Sequence, residues 1–161
     1  MSFSSWRRAL RAYLPFVLAA HGLWEIAQIP LYTLWRDGTP GEIVFALAHC
    51  TAGDLIIAGA TVGLALMINR SSTWPAESRW PVAATTIVLG LVFTTFSEWL
   101  NVEVRATWAY APAMPRLPPL GTGLSPFAQW IVVPLAGFWW IYRRHDTEEH
   151  RRPSQERERH R

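Results

Sequence analysis

Four stretches of this chain are each long and apolar enough to cross a lipid bilayer, and that constrains the fold more than any other feature of the sequence. A helix needs about 20 mostly apolar residues to traverse roughly 30 Å of hydrocarbon, and only helices or closed barrels keep the backbone hydrogen-bonded there. The qualifying windows cover residues 13–34, 42–68, 81–104 and 125–142. The expected fold class is therefore all-α, an integral membrane four-helix bundle spanning residues 1–142. A charged segment, 143–161, follows as a cytoplasmic tail expected to be solvated and partly disordered. With 161 residues the chain has room for one domain but not for two that each bury a core.

Local chemistry marks where the helices begin. Thr39-Pro40-Gly41-Glu42 reads as an N-cap, a proline at the first helical position, and a glutamate that bonds back to the cap. Ser125-Pro126 opens the fourth helix in the same way, and Pro81 opens the third. Pro134 lies inside the fourth window, where it removes one backbone bond and predicts a kink.

Charge sets the expected orientation. Arg7, Arg8 and Arg11 precede the first window, Arg70 and Arg79 lie between the second and third, and Arg143 and Arg144 follow the fourth. The other two connections hold Arg36, and Arg105 with Arg116. The positive-inside rule puts both termini and the middle connection in the cytoplasm of an inner membrane. All tryptophans but Trp24 fall near a window end or in a connection, as an interfacial aromatic belt requires. The net charge is +3, and every one of the 15 basic residues is arginine. Because these arginines flank apolar runs, they argue for helix orientation and against a nucleic-acid partner. The single cysteine, Cys50, excludes an internal disulfide and any cysteine-based zinc site. His21 and Glu25 interrupt the first apolar run, so it is expected to be retained and not cleaved as a signal peptide. The expected partners are membrane lipids; the small-residue face of Gly59 and Gly63 is read first as packing within the monomer, with a homodimer meeting there as the alternative.

Functional residues are sought among those that do not belong in hydrocarbon. His21, Glu25 and Gln28 lie in the first window, His49 and Asp54 in the second, Glu98 and Asn101 in the third, and Gln129 in the fourth. A charge at mid-bilayer costs at least about 2.5 kcal/mol, so the acids should face one another and not lipid. At about 1.5 Å rise per residue these groups share a level in the outer half, with His21 and Asp54 nearer the middle. His49 and Asp54 are five apart, about 140° around a helix, so His49 is the outlier of the set. Beyond this layer, residues 105–123 are too rich in proline and glycine for a helix. Trp108, Tyr110, Met114 and Leu117 make that segment too apolar for a free linker, so it is expected to form an ordered outer loop.

Three chemistries suit this constellation. His21, Glu25, His49 and Glu98 are candidate ligands for a divalent metal, since imidazole and carboxylate suit zinc or iron. Glu25, Glu98 and His21 are candidate acids and bases, with Asp54, Asn101, Arg105, Trp108, Tyr110 and Gln129 as ligand-binding residues. The same groups suit a proton relay or cation site. The plainer alternative is a hydrogen-bonded network that fastens helices together.

His21-Gly-Leu-Trp-Glu25, Ser97-Glu98-Trp-Leu-Asn101 and Trp108-Ala-Tyr110 resemble a family of small bacterial four-helix inner-membrane proteins, which implies the fold and no reaction. His21-x-x-x-Glu25 with the later Glu98 is similar to the emopamil-binding sterol isomerase family. Glu98 followed by Arg105-x-x-Trp108-x-Tyr110 and a Pro/Gly-rich loop is similar to membrane proteins of the lycopene cyclase type. Both resemblances imply proton-initiated chemistry on isoprenoid lipids, with Glu25 or Glu98 as the acid and Trp24 or Trp108 stabilising a cation. The chain lacks the isomerase's fifth helix and the cyclase's acidic pair.

Overall fold

The computed structural model describes residues 4–159, with side chains for 6–147. Five helices form in chain order: α1 (Ser4–Gln28), a short α2 (Leu34–Asp37), α3 (Pro40–Ile68), α4 (Arg79–Trp99) and α5 (Leu124–Arg159). A 3-10 turn, Ile29–Leu31, extends α1, and a π-helical turn, Leu100–Val104, extends α4. Two short strands, β1 (Arg116–Leu117) and β2 (Thr122–Gly123), pair antiparallel in the segment before α5. The four long helices form a ring in which α1 packs on α3 and α5, and α4 on α3 and α5. Each contains a stretch long and apolar enough to span a membrane: Trp6–Leu31, Pro40–Ile68, Arg79–Val104 and Leu124–Thr147.

The distribution of polarity is inverted relative to a soluble bundle. His21, Gln28, Glu98 and Gln129 are buried, while Leu23, Ile26, Phe45, Ile56, Met67 and Val92 are at least 60% exposed. A water-soluble monomer does not carry so much contiguous apolar surface, whereas lipid covers it at no cost. The fold fits a multi-pass membrane protein.

The helix starts follow the local chemistry. Thr39 and Glu42 form a capping box at α3, with the Thr39 backbone N–H donating to Glu42 Oε2 at 2.8 Å. The helices nevertheless run past the apolar windows. α1 begins at Ser4, so Arg7, Arg8 and Arg11 are helical, and α5 continues through Arg159 where a partly disordered tail was expected. The side chains from 148 onward, and residues 160–161, lie outside the described residues. Pro134 is wholly buried within α5, so the carbonyl it leaves without an intrahelical donor lies among protein and not lipid.

The half of the bundle nearer residues 69–78 is apolar, built from Tyr13, Val17, Val62, Val82 and Phe138. Trp74, fully buried, plugs that end and donates from Nε1 to the Tyr142 hydroxyl at 3.2 Å. Two glycines permit the closest helix contacts. A Cβ on Gly90 would lie 2.3 Å from the Trp130 ring, and one on Gly137 would lie 2.7 Å from Tyr13. The small-residue face expected to pack within the monomer does not do so closely: Gly63 has nothing within 4 Å of its Cβ position, and Gly59 meets only Leu14 at 3.9 Å. Gly90→Ala should therefore lower stability by roughly 1–3 kcal/mol through overpacking. Gly63→Ala should raise it by about 0.5–1 kcal/mol through helix propensity. Thermal unfolding of the two variants in detergent micelles checks this; equal midpoints would remove the close α4–α5 contact as a determinant.

Candidate functional site

The polar residues occupy the half of the bundle nearer the 105–123 segment, and their helical spacing explains how they meet. His21, Glu25 and Gln28 recur at four and three residues on α1, and Ser125 and Gln129 at four on α5, so each set shares a face. The Gln129 amide is the hub. Its Nε2 lies 2.9 Å from His21 Nδ1 and donates to Glu25 Oε1 and to Asp54 Oδ2, each at 3.0 Å. Gln28 Nε2 donates to the same Glu25 oxygen at 2.8 Å and to Gln129 Oε1 at 3.3 Å. Ser125 Oγ donates to Gln28 Oε1 at 2.8 Å and accepts from Trp24 Nε1 at 3.1 Å. A single network thus ties α1, α3 and α5 together.

Proton accounting makes the hub unusual. An amide nitrogen carries two hydrogens, yet Gln129 Nε2 meets three acceptor-capable atoms. His21 Nδ1 and Asp54 Oδ2 also approach to 3.2 Å, a contact between two acceptors unless one bears a proton. The set is consistent only when it holds a proton beyond those of the amide. His21 is 0% exposed, and its Nε2 is sealed without a hydrogen-bond partner beside the Trp130 ring, 5.1 Å between centroids.

Glu98 forms a second centre. Tyr110 donates its hydroxyl to Glu98 Oε2 and accepts from the Gly123 N–H at 2.9 Å. Burial pushes the Tyr110 phenol well up, and the Glu98 carboxyl beside it pushes it further, so the hydroxyl stays a donor. Trp108 Nε1 is buried beside the same carboxyl, to which it makes a weak N–H contact. Backbone pairing holds the loop in place: Thr33 N–H donates to Ala109 O and Ala111 N–H to Leu31 O, both at 2.9 Å. The segment is the ordered loop expected from its composition.

Two residues absent from the expected set are within electrostatic reach of both centres. The Tyr32 hydroxyl is within electrostatic reach of Glu98, Tyr110, Glu25 and Cys50. Cys50 in turn is within reach of Glu25, Asp54 and Glu98. No sequence pattern singles out Tyr32, whose direction depends on the 3-10 turn after Gln28.

The expected set is thus divided. His21, Glu25, Asp54 and Gln129 converge; Glu98, Tyr110 and Trp108 form the neighbouring group. His49 joins neither: it is exposed on the outer face of α3, stacked on Phe45 at 5.6 Å, as its angular offset from Asp54 dictates. The ligand set His21, Glu25, His49 and Glu98 therefore does not come together. Among the described residues no group of three or more His, Cys, Asp or Glu side chains is placed to hold one metal ion. Asn101 bonds back to Ser97 O of its own helix at 2.9 Å, and Arg105 is exposed. Arg116 approaches Glu103, at 3.7 Å.

On the outside of the bundle, α4, α5 and the loop line an open apolar groove of about 600 Å³ with Leu91, Thr95, Phe96, Trp99, Leu120 and Phe127. Comparison with known proteins adds no relative: no family model, no curated protein and no solved structure matches the chain.

Proposed function

We propose that this chain is a multi-pass inner-membrane protein, both termini cytoplasmic, with an outward-facing polar pocket inside the membrane that binds a small ligand. One observation carries the reading. Two acids from two helices commit only part of their hydrogen-bonding capacity to the protein. Glu25 accepts through Oε1 and Asp54 through Oδ2, which leaves an oxygen on each without a partner. Neither free oxygen is sealed from accessible space as His21 Nε2 is, and the unpartnered Tyr32 hydroxyl is likewise open. A network built only to fasten helices would bury and satisfy these atoms. Cys50, the sole cysteine, adjoins the same acids and serves as the reporter. A small neutral thiol reagent, methyl methanethiosulfonate, added outside sealed proteoliposomes is expected to modify Cys50 in the folded protein. Modification appearing only after unfolding in SDS would overturn the pocket.

A second reading is favoured by the Glu98 centre. An acid hydrogen-bonded to Tyr110, on a helix that also lines an apolar groove, suits proton donation to an isoprenoid lipid, with Glu98 as the donor and the groove receiving the chain. It differs from the first in requiring a product: conversion of an isoprenoid by membranes carrying the protein and its loss in Glu98→Gln.

A further inference from the structure

The outer groove ends in a pair of opposite charges. Gly90, Thr94 and Glu98 recur every four residues on α4 and are buried, so residues between them turn outward. Two rows result, Leu91 with Thr95 and Trp99, and Val92 with Phe96, and they form one wall of the groove of about 600 Å³. Phe127 of α5 and Leu120 of the loop form the other. From Leu91 to Trp99 the wall runs for eight residues, about 12 Å at a rise of ~1.5 Å each. One leaflet offers about 15 Å of hydrocarbon, half of the ~30 Å core, so the groove matches the depth of a single acyl chain.

Glu103 follows Trp99 by four residues, across the π-helical turn Leu100–Val104. A Cβ on Gly121, the neighbour of Leu120, would lie 3.7 Å from Glu103 Oε1, so this carboxylate sits at the loop end of the groove. Arg116 Nη1 stands 3.7 Å from the same oxygen, and its Cζ lies 5.1 Å from the Tyr110 ring centroid. At that separation the charges attract without hydrogen-bonding, and both side chains are about half exposed. A guanidinium takes phosphate oxygens bidentately, and a carboxylate takes an ammonium. Side by side, they match a headgroup that carries both charges.

Inside a bilayer an apolar face is covered by lipid or by a second copy of the chain. Membrane helices meet through small residues that let their backbones approach. Thr95 is the one such residue lining the groove, because Gly90 of α4 is turned inward against Trp130. Bulky aromatic walls and a charged end beside Trp99 fit a phospholipid instead, since tryptophan settles at the level of headgroups.

We propose that the groove holds one zwitterionic phospholipid, an acyl chain between α4 and α5, its phosphate at Arg116 and its ammonium at Glu103, a reading that rests on the multi-pass membrane assignment and not on the polar pocket.

Competition between lipids tests this. The full chain, delipidated in a mild detergent, is offered equimolar dioleoyl phosphatidylethanolamine and dioleoyl phosphatidylglycerol, and native mass spectrometry counts the lipid retained per chain. One phosphatidylethanolamine should be retained, favoured about fivefold over the anionic lipid, the worth of one added exposed charge contact. Glu103→Gln removes the partner of the ammonium and keeps that of the phosphate, so the two lipids should then be retained equally. Thr95→Trp fills the groove and should lower retention of both lipids by about tenfold. Val92→Trp, at the exposed rim, gives the same readout should Thr95→Trp not fold. Equal retention by the parent, or a preference for phosphatidylglycerol, overturns the zwitterionic headgroup. Retention unchanged in both tryptophan variants overturns the groove as its place. A dimer that dissociates in those variants gives the face to a second copy and overturns the lipid. A chain that stays monodisperse without detergent removes the membrane assignment itself.

Discussion

Replacing Gln129 with leucine is expected to destabilise the bundle by on the order of 3 kcal/mol, the largest single loss at the loop end. Leucine fills a similar volume, so packing is little changed, yet the variant removes the one donor that, among the described residues, Glu25 and Asp54 share. Stripping a partner from a buried polar group costs roughly 1–3 kcal/mol, and more when that group is charged. His21 and Asp54 then retain only their mutual contact at 3.2 Å, while Glu25 keeps Gln28. Truncating both sides of the interaction is gentler than truncating one, so the double variant Gln129→Leu with Asp54→Leu should recover part of the loss. Thermal unfolding in detergent micelles reads both. A Gln129→Leu protein as stable as the parent would mean that the amide is not the hub.

The hydrophobic spans were legible because hydrocarbon thickness sets a length that composition alone can meet. Their ends were not, because arginine and glutamate are good helix formers in water: Arg7 to Arg11 simply prolong α1, and α5 continues beyond Tyr142. Within the site, His21 and Glu25 were legible from their four-residue spacing, and Asp54 from the cost of exposing an acid to lipid. The angle that separates Asp54 from His49 was equally legible, and His49 does face outward. The central role of Gln129 was not, since an amide in a helix carries no signal of how many groups it will meet. Tyr32 and Cys50 escaped for a different reason. Their relevance arises from the approach of α1, α3 and α4, which no local pattern encodes. The loop was correctly read as ordered, but composition does not say what fastens it; the fastening is Glu98 to Tyr110 and the backbone pairs to Leu31 and Thr33.

The two centres have different mechanical meanings. The Gln129 network joins α1, α3 and α5, and so fixes the bundle, whereas the Glu98 centre joins α4 to a loop that otherwise has few anchors. Access to the acids is therefore expected to depend on the loop centre, which sits between them and the interface.

Tyr110→Phe isolates that dependence. Phenylalanine keeps the ring, and with it the contact to Tyr32 and the position of Arg116, while deleting the hydroxyl. Two bonds vanish together: the donor to Glu98, and the acceptor for the Gly123 N–H at 2.9 Å. Gly123 is buried, so its N–H becomes an unpaired donor at a local cost of roughly 1–3 kcal/mol. Because opening of the loop needs less free energy than unfolding of the helices, this cost should appear first as faster local opening. Backbone hydrogen exchange across residues 107–124 is expected to quicken by about tenfold to a hundredfold, with α3 and α4 unchanged. Cys50 should also become reactive toward reagents too bulky to label the parent. Exchange that accelerates uniformly along the chain would show that Tyr110 supports the whole bundle. Exchange unchanged at 107–124 would show that the backbone pairs to Leu31 and Thr33 hold the loop without it, and the hydroxyl would then belong to the ligand and not to the loop.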